Sequence, residues 1–330
     1  MRLAIVCSAH GFGHLGRQLS LAGFWRSQKI NATFFTAVPV TTVQQWHPTA
    51  SVVPWAVDVG LFQPDSLQED LLQTRELLDR RCGDAQVDAL AACLRDYDRV
   101  VVDIAPAGLE AARRADRPAL AVGNFDWAWI YRHYPLLRDW ADRFARWQAP
   151  HAALQLWPGP GLHGFTRVYP GGLLARRASR PWSGPGGGRT VLVCFGGFGL
   201  QQVDRWLPTI PGLQWILAPP MPALSRPDVS YVDDVPFPAL VAGVDAVFTK
   251  PGYGILGECL RAGTPIVWAP RGAFPEAASL VAVLNARGDE PVGNDLAVAL
   301  ERRWSRPRPP PLEAPEQAIG QQILEWMLRQ

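Results

Sequence analysis

Lysine is almost missing from this chain of 330 residues: of its 32 lysine and arginine side chains only Lys29 and Lys250 are lysine. An excess of either charge is missing too, since 30 carboxylates leave a net charge of +2, and no basic stripe runs along the sequence. That excludes the clustered positive face on which general affinity for nucleic acid depends. Cysteine is sparse, with five scattered residues (Cys7, Cys82, Cys93, Cys194 and Cys259) and no C-x-x-C pair. A disulfide framework and a zinc ribbon are excluded, and the scatter fits a reducing cytosol with several thiols acting as small core residues. No apolar run approaches the roughly 20 residues that cross a bilayer, and Met1-Arg2 leads into a strand-like run without a cleavage site. A cytoplasmic location follows, with peripheral membrane contact at most. The group Arg302, Arg303, Arg306 and Arg308 reads as a solvated helix end before a Pro-rich bend rather than a lipid contact.

Hydrophobic residues make up 48% of the chain and charged ones 19%, a globular balance. The length exceeds one ordinary core and points to two domains of about 150 residues each. Short runs of Val, Ile and Leu alternate with longer helical patterns, as in parallel strands joined by crossover helices, and the pattern occurs twice. In the first half strands are expected at 3–7, 32–36, 51–54, 99–103, 119–122 and 153–156, with helices at 14–28, 65–81, 85–94 and 127–147. Composition shifts to Pro, Gly and Arg between 158 and 188, which places a first domain at 1–165, a linker at 166–188 and a second domain at 189–330. The second domain has expected strands at 190–195, 214–217, 246–249 and 265–268 and a final helix at about 316–328. The predicted class is α/β, with two Rossmann-like doubly wound parallel sheets facing a cleft. Ligands of such sheets bind beyond the carboxyl ends of the strands.

The first strand runs into Ser8-Ala9-His10-Gly11-Phe12-Gly13-His14-Leu15-Gly16-Arg17, a formal G-x-G-x-x-G. A dinucleotide site also needs a carboxylate at the end of the second strand, and Phe34-Phe35-Thr36-Ala37-Val38 has none. The distinguishing feature is a histidine on each side of the glycines. At the start of a helix His14 is kept neutral by the helix terminus and is available as a general base, with His10 as the other candidate. Asp103, at the end of the run 99–103, stands at the same sheet edge, where it either orients the base or caps the helix ahead of Pro106. Gly11, Phe12 and Gly13 allow close approach of an acceptor. Asp126 and Trp127, at another strand end, are candidates for hydrogen bonding and stacking against it, Asp126 also as an alternative base.

In the second half Gly196-Gly197-Phe198-Gly199 follows a strand and opens a helix, the setting in which backbone amides attract phosphate oxygens. The run from Asp245 to Cys259 reads as strand, glycine turn and helix. Lys250 supplies a compact charge for a diphosphate at that strand end, beside Gly252, Tyr253 and Gly254. Glu258, four residues past Gly254, is placed to accept from vicinal ribose hydroxyls. Arg271 and Glu276 follow the strand at 265–268, and Phe237 is a candidate for nucleobase contact. Asp96-Tyr97-Asp98 is a formal D-x-D, but it precedes a strand where a metal-diphosphate clamp follows one, and no metal is expected.

At these residues the sequence resembles the GT-B glycosyltransferases. The likeness is to the branch containing the lipid-linked N-acetylglucosaminyltransferase of peptidoglycan synthesis, and to bacterial proteins with H-G-F-G-H near the start and K-P-G-Y-G-x-x-x-E-C near the end. The resemblance implies that His14 is the histidine of the N-terminal glycine loop, Gly196 to Gly199 the donor-phosphate loop and Glu258 the ribose ligand. It implies a metal-independent transferase without a cofactor, moving a sugar from a nucleoside-diphosphate donor, UDP-sugar foremost, to a hydroxyl acceptor, and acting as a monomer or homodimer. It also implies a final helix packed on the first domain. Arg271 and Glu276 stand where the family often has a Gln or Asn pair, which leaves the donor sugar open. A hydrolysing nucleotide-sugar 2-epimerase and a non-catalytic nucleotide-sugar sensor are the alternatives.

Overall fold

The computed structural model describes residues 1–64, 69–196, 202–270, 274–313 and 316–330. The chain divides into two units, the first comprising residues 1–62, 69–174 and 316–330 and the second 63–64 with 175–313. In the first, seven strands form one sheet: β1 (Arg2–Cys7), β2 (Asn31–Thr36), β3 (Ser51–Pro54), β4 (Arg99–Asp103), β5 (Ala119–Gly123), β6 (Ala152–Gln155) and β7 (Arg167–Pro170). Their order is β3-β2-β1-β4-β5-β6-β7, every pair parallel. Strands covered on both faces must be apolar at every position, and Leu3 to Cys7 and Val100 to Val102 are entirely buried. The covering helices are α1 (Phe12–Ser20), α2 (Ala22–Ser27), α3 (Val40–Trp46), α4 (Leu71–Arg81), α5 (Asp84–Leu94), α6 (Pro106–Arg114), α7 (Trp127–Arg132) and α8 (Arg138–Gln148).

The second unit repeats the plan. Its strands β8 (Arg189–Cys194), β9 (Leu213–Leu217), β10 (Val229–Tyr231), β11 (Ala246–Thr249), β12 (Ile266–Trp268) and β13 (Glu290–Pro291) lie in the order β10-β9-β8-β11-β12-β13, all parallel. Helices α9 (Phe237–Gly243), α10 (Tyr253–Ala262), α11 (Ala277–Ala286) and α12 (Leu296–Trp304) cover it. The last helix, α13 (Glu316–Arg329), belongs to the first unit, where Ile319, Ile323 and Met327 enter the core with Trp25 and Leu21. Gly320 is there because a Cβ would stand 2.6 Å from the Phe24 ring. Each sheet reverses its winding between its own first and fourth strands. Cys7 lies in register with Asp103 across that point in one, and Cys194 with Thr249 in the other.

Some boundaries differ from those expected. The helix sought at 14–28 begins at Phe12 and breaks at Leu21, and the one at 127–147 divides where Pro135 starts a 3-10 turn. Helix α4 starts after Asp70, whose carboxylate accepts the Gln73 N–H at 2.9 Å, while residues 65–68 lie outside the described residues. The expected linker is largely built into the two units: residues 167–170 are β7, and the Trp182 N–H donates to the Ala239 carbonyl. In the arginine group at the end of α12, Arg302, Arg306 and Arg308 are exposed, as expected, and Arg303 alone is buried. Arg303 is buried on Asp289, Arg302 and Arg306 pair with Glu290, and Arg308 donates to the carbonyls of Gly263 and Val244.

Candidate functional site

In the first unit the loop after β1 turns through Gly11, whose φ of 79° suits glycine, and enters α1 at Phe12. Helical spacing then puts His14, Arg17 and Gln18 on one face, directed at the end of β4. Asp103 receives all three. His14 Nδ1 lies 2.9 Å from Oδ1, Arg17 Nε donates to Oδ2 at 2.7 Å and its Nη2 to Oδ1, and Gln18 Nε2 donates to Oδ2 at 2.7 Å. Arg17 Nη1 donates to Asn124 Oδ1, and Asn124 Nδ2 donates to the Pro158 carbonyl at 2.6 Å. Burial alone would push the Asp103 carboxyl up. The Arg17 guanidinium, then the hydrogen bonds from His14 and Arg17, overcome this and bring it down to about 2. Asp103 therefore does not cap α6, whose N-cap is Ala105 without a side-chain bond. Between them Ile104 holds a φ of 47°, and Gly123 leaves the space into which its side chain packs.

The other first-unit candidates separate. His10 packs edge-on to Trp127 at 5.2 Å and over Gly60, where a Cβ would strike its ring. Phe12 packs against Trp46 at 5.3 Å, and Gly13 is half-buried in the first turn of α1. Asp126 is a structural cap: its carboxylate accepts the N–H groups of Trp129 at 2.8 Å and Gly164 at 3.0 Å, with no exposure. Trp127 is wholly buried and offers no face to a sugar, which corrects the expected stacking role. Asp58, from the segment after β3, has no local sequence signal. It is buried with Oδ2 unpartnered among the described residues, and burial pushes its carboxyl up against the pull of the Ser8 hydroxyl.

The second unit gathers a different set at its own winding reversal. Gly196 turns with a φ of 76° past the end of β8, and the Lys250 side chain lies beside it, its Cε 3.8 Å from where a Cβ would stand. Gly252 is the extended N-cap of α10, so Tyr253 and Gly254 form its first turn and the N–H groups there are oriented out of the helix. One turn on, Glu258 is buried and Oε1 accepts Arg176 Nε at 2.6 Å, while Oε2 has no hydrogen-bond partner among the described residues. Burial pushes the Glu258 carboxyl up, and Arg176 opposes it. The Arg176 guanidinium also lies 6.0 Å from the centre of the Phe237 ring at the start of α9. Burial takes the nearby Cys194 thiol up to about 11, so it stays protonated. Glu276 is buried at the N-terminus of α11 without capping it. Gly197, Phe198, Gly199 and Arg271 lie outside the described residues. Arg176 has no signal in the sequence because its partner is 82 residues away and its own segment has linker composition.

Among the described residues no group of three or more His, Cys, Asp or Glu side chains is arranged to hold a metal ion, and no helix is long and apolar enough to cross a membrane. The D-x-D carboxylate Asp98 accepts the Arg2 N–H at 2.7 Å.

No protein-family model matches the chain. L-arabinokinase of Arabidopsis thaliana is 26% identical over 300 residues, which are 83% of this chain and 28% of that protein, so the chain spans little more than a quarter of the curated relative. Among solved structures, the glycosyltransferase SnogD from Streptomyces nogalater aligns with a TM-score of 0.62 at 19% identity, covering 99% of each chain. A UDP-glucosyltransferase from Polygonum tinctorium aligns with a TM-score of 0.60 at 16% identity, covering 99% of this chain and 93% of its own. The fold is thus the two-sheet α/β fold of the GT-B glycosyltransferases.

Proposed function

We propose that the chain is a glycosyltransferase that moves a sugar from a nucleoside-diphosphate donor to an acceptor hydroxyl without a catalytic metal. The observation that carries this reading is the histidine at the winding reversal of the first sheet, bonded through Nδ1 to a buried, ionised Asp103. A carboxylate on one nitrogen orients the ring and leaves Nε2 to accept a proton. In the step itself Nε2 takes the acceptor proton and the acceptor oxygen bonds to the anomeric carbon. The bond from that carbon to the phosphate oxygen breaks, and its electrons leave with the diphosphate. The N–H groups at the start of α10 and the Lys250 charge stabilise the departing anion, an effect that often supplies the largest share of catalysis. Glu258 Oε2, without a hydrogen-bond partner among the described residues, supports a ribose hydroxyl at that position. Because Arg176 already occupies Oε1, one new hydroxyl bond fits there more readily than two.

UDP is the nucleotide this reading favours, in keeping with the name of the Polygonum enzyme. The test is incubation with UDP-, dTDP- and GDP-sugars, with and without hydroxyl acceptors, read by mass spectrometry. Transfer should require both substrates and should fall about 100-fold or more in His14→Ala. Turnover of the donor alone would mean an epimerase, binding without turnover a sensor, and full transfer by His14→Ala would remove the base assignment.

A further inference from the structure

The sequence offers His14 and Asp103 as a pair, but the structure makes them part of a charge-paired group. A carboxylate has about four lone-pair positions, and at Asp103 three face donors, two from Arg17 and one from Gln18, while the fourth faces His14 Nδ1. Arginine has no acceptor and an ionised carboxylate no donor, so the only optional proton in the group is the one on His14 Nδ1. That nitrogen also lies 3.0 Å from Arg17 Nη2, a contact that alone would call for a lone pair there. Asp103 Oδ1 is the charged acceptor, and a lone pair facing it would be repelled.

We propose that Arg17 is the positioning residue that sets the proton on His14: it commits Asp103 as its own counter-ion, so a neutral ring carries its proton on Nδ1 and its lone pair on Nε2. The catalytic consequence rests on the transferase reading; the proton assignment does not. Two charges close the argument. With a neutral ring, Asp103 and Arg17 sum to zero, whereas a protonated ring leaves the buried group with one positive charge beside a guanidinium. In a simple aspartate–histidine pair the protonated ring would instead complete a neutral pair. The Arg17 guanidinium therefore opposes a charge on the ring, whatever the other groups facing it contribute. Asn124 and Phe125, at the end of β5, are neutral, as is Gln18 on the same helix, and the Asp58 carboxyl from the segment after β3 is the other acid near the ring, its ionised form opposed by burial and favoured by the Ser8 hydroxyl and by His14.

The test is nitrogen NMR on the full chain with labelled histidine, in the absence of substrate. The chain has six histidines, and the His14 ring is assigned by its loss in His14→Gln. In the natural sequence at neutral pH the expected spectrum has a protonated Nδ1 and an unprotonated Nε2. In Arg17→Gln the doubly protonated ring should persist at least about one pH unit higher, and the acid limb of kcat/KM should move the same way. Arg17→Lys, which keeps the charge but not the two-pronged contact, should hold the titration near that of the natural chain while lowering kcat. A proton on Nε2 in the natural chain, or an unmoved ring titration in Arg17→Gln, overturns the proposal. Should Arg17→Gln not fold, the tautomer of the natural chain and the Arg17→Lys titration decide. Because the spectra need no turnover, absence of transferase activity would sink the functional reading alone.

Discussion

Asp103 and Glu258 are both buried carboxylates in contact with an arginine, yet they respond to pH in opposite directions. The Asp103 carboxyl is held down at about 2, so its contribution is present above the ordinary carboxylate range and is lost as pH falls toward 2. That contribution is on the order of 2 kcal/mol. Glu258 is pushed up, so its contribution is complete below the ordinary value and is lost as pH rises through the raised one. Urea unfolding across pH should therefore show Asp103→Asn several kcal/mol below the natural chain at pH 7, about 3 to 5 if Arg17 is left unpaired, with the gap narrowing in acid. Glu258→Gln should show a gap that moves in its favour as pH rises, and parallel curves for both variants would contradict the assignment. The difference between the two sites also marks what is legible in the chain. His14 and Asp103 end a glycine loop and an apolar strand, and both signals are local. Arg17 has a signal as well, since it lies one turn from His14, but its meaning depends on Asp103, 86 residues away. Asp58 and Arg176 have meaning only through partners brought near by folding.

Among the elements, the fully buried strands are the easiest to read, because apolar runs this short, bounded by turns, leave no length for a buried helix. Strand β7 has no such signal: all four of its residues are exposed, so its composition matches a linker, and β13 is only two residues long. Helix α7 is legible, but the meaning of its first residues is not. Asp126 and Trp127 stand at a strand end where ligands are sought, and the same position suits a cap and a core anchor. Asp126→Ala should therefore remove a cap and a loop tether, costing about 1 to 2 kcal/mol in thermal or urea unfolding. Its kcat/KM, measured well below the melting range, should match that of the natural chain. A selective loss of activity with unchanged stability would restore Asp126 to the chemistry.

At the scale of the whole molecule, two sheets with the same winding each have a core of their own. The repeated strand pattern makes this visible in the sequence, while the division between units, at 174–175, falls within the expected linker. Helix α13 gives the first core three side chains from the far end of the sequence, and fully burying each is worth about 1.5 to 3 kcal/mol. Ending the chain at residue 313 should lower the calorimetric transition of the first unit and leave that of the second near its original temperature. Equal lowering of both would show that the helix stabilises the molecule as a whole. The same helix imposes an order on synthesis. A ribosome can have translated both sheets and still not have supplied Ile319, Ile323 and Met327, so the hydrophobic interior of the first sheet is filled only after the second sheet has been made, and until then it stays open to non-native contacts.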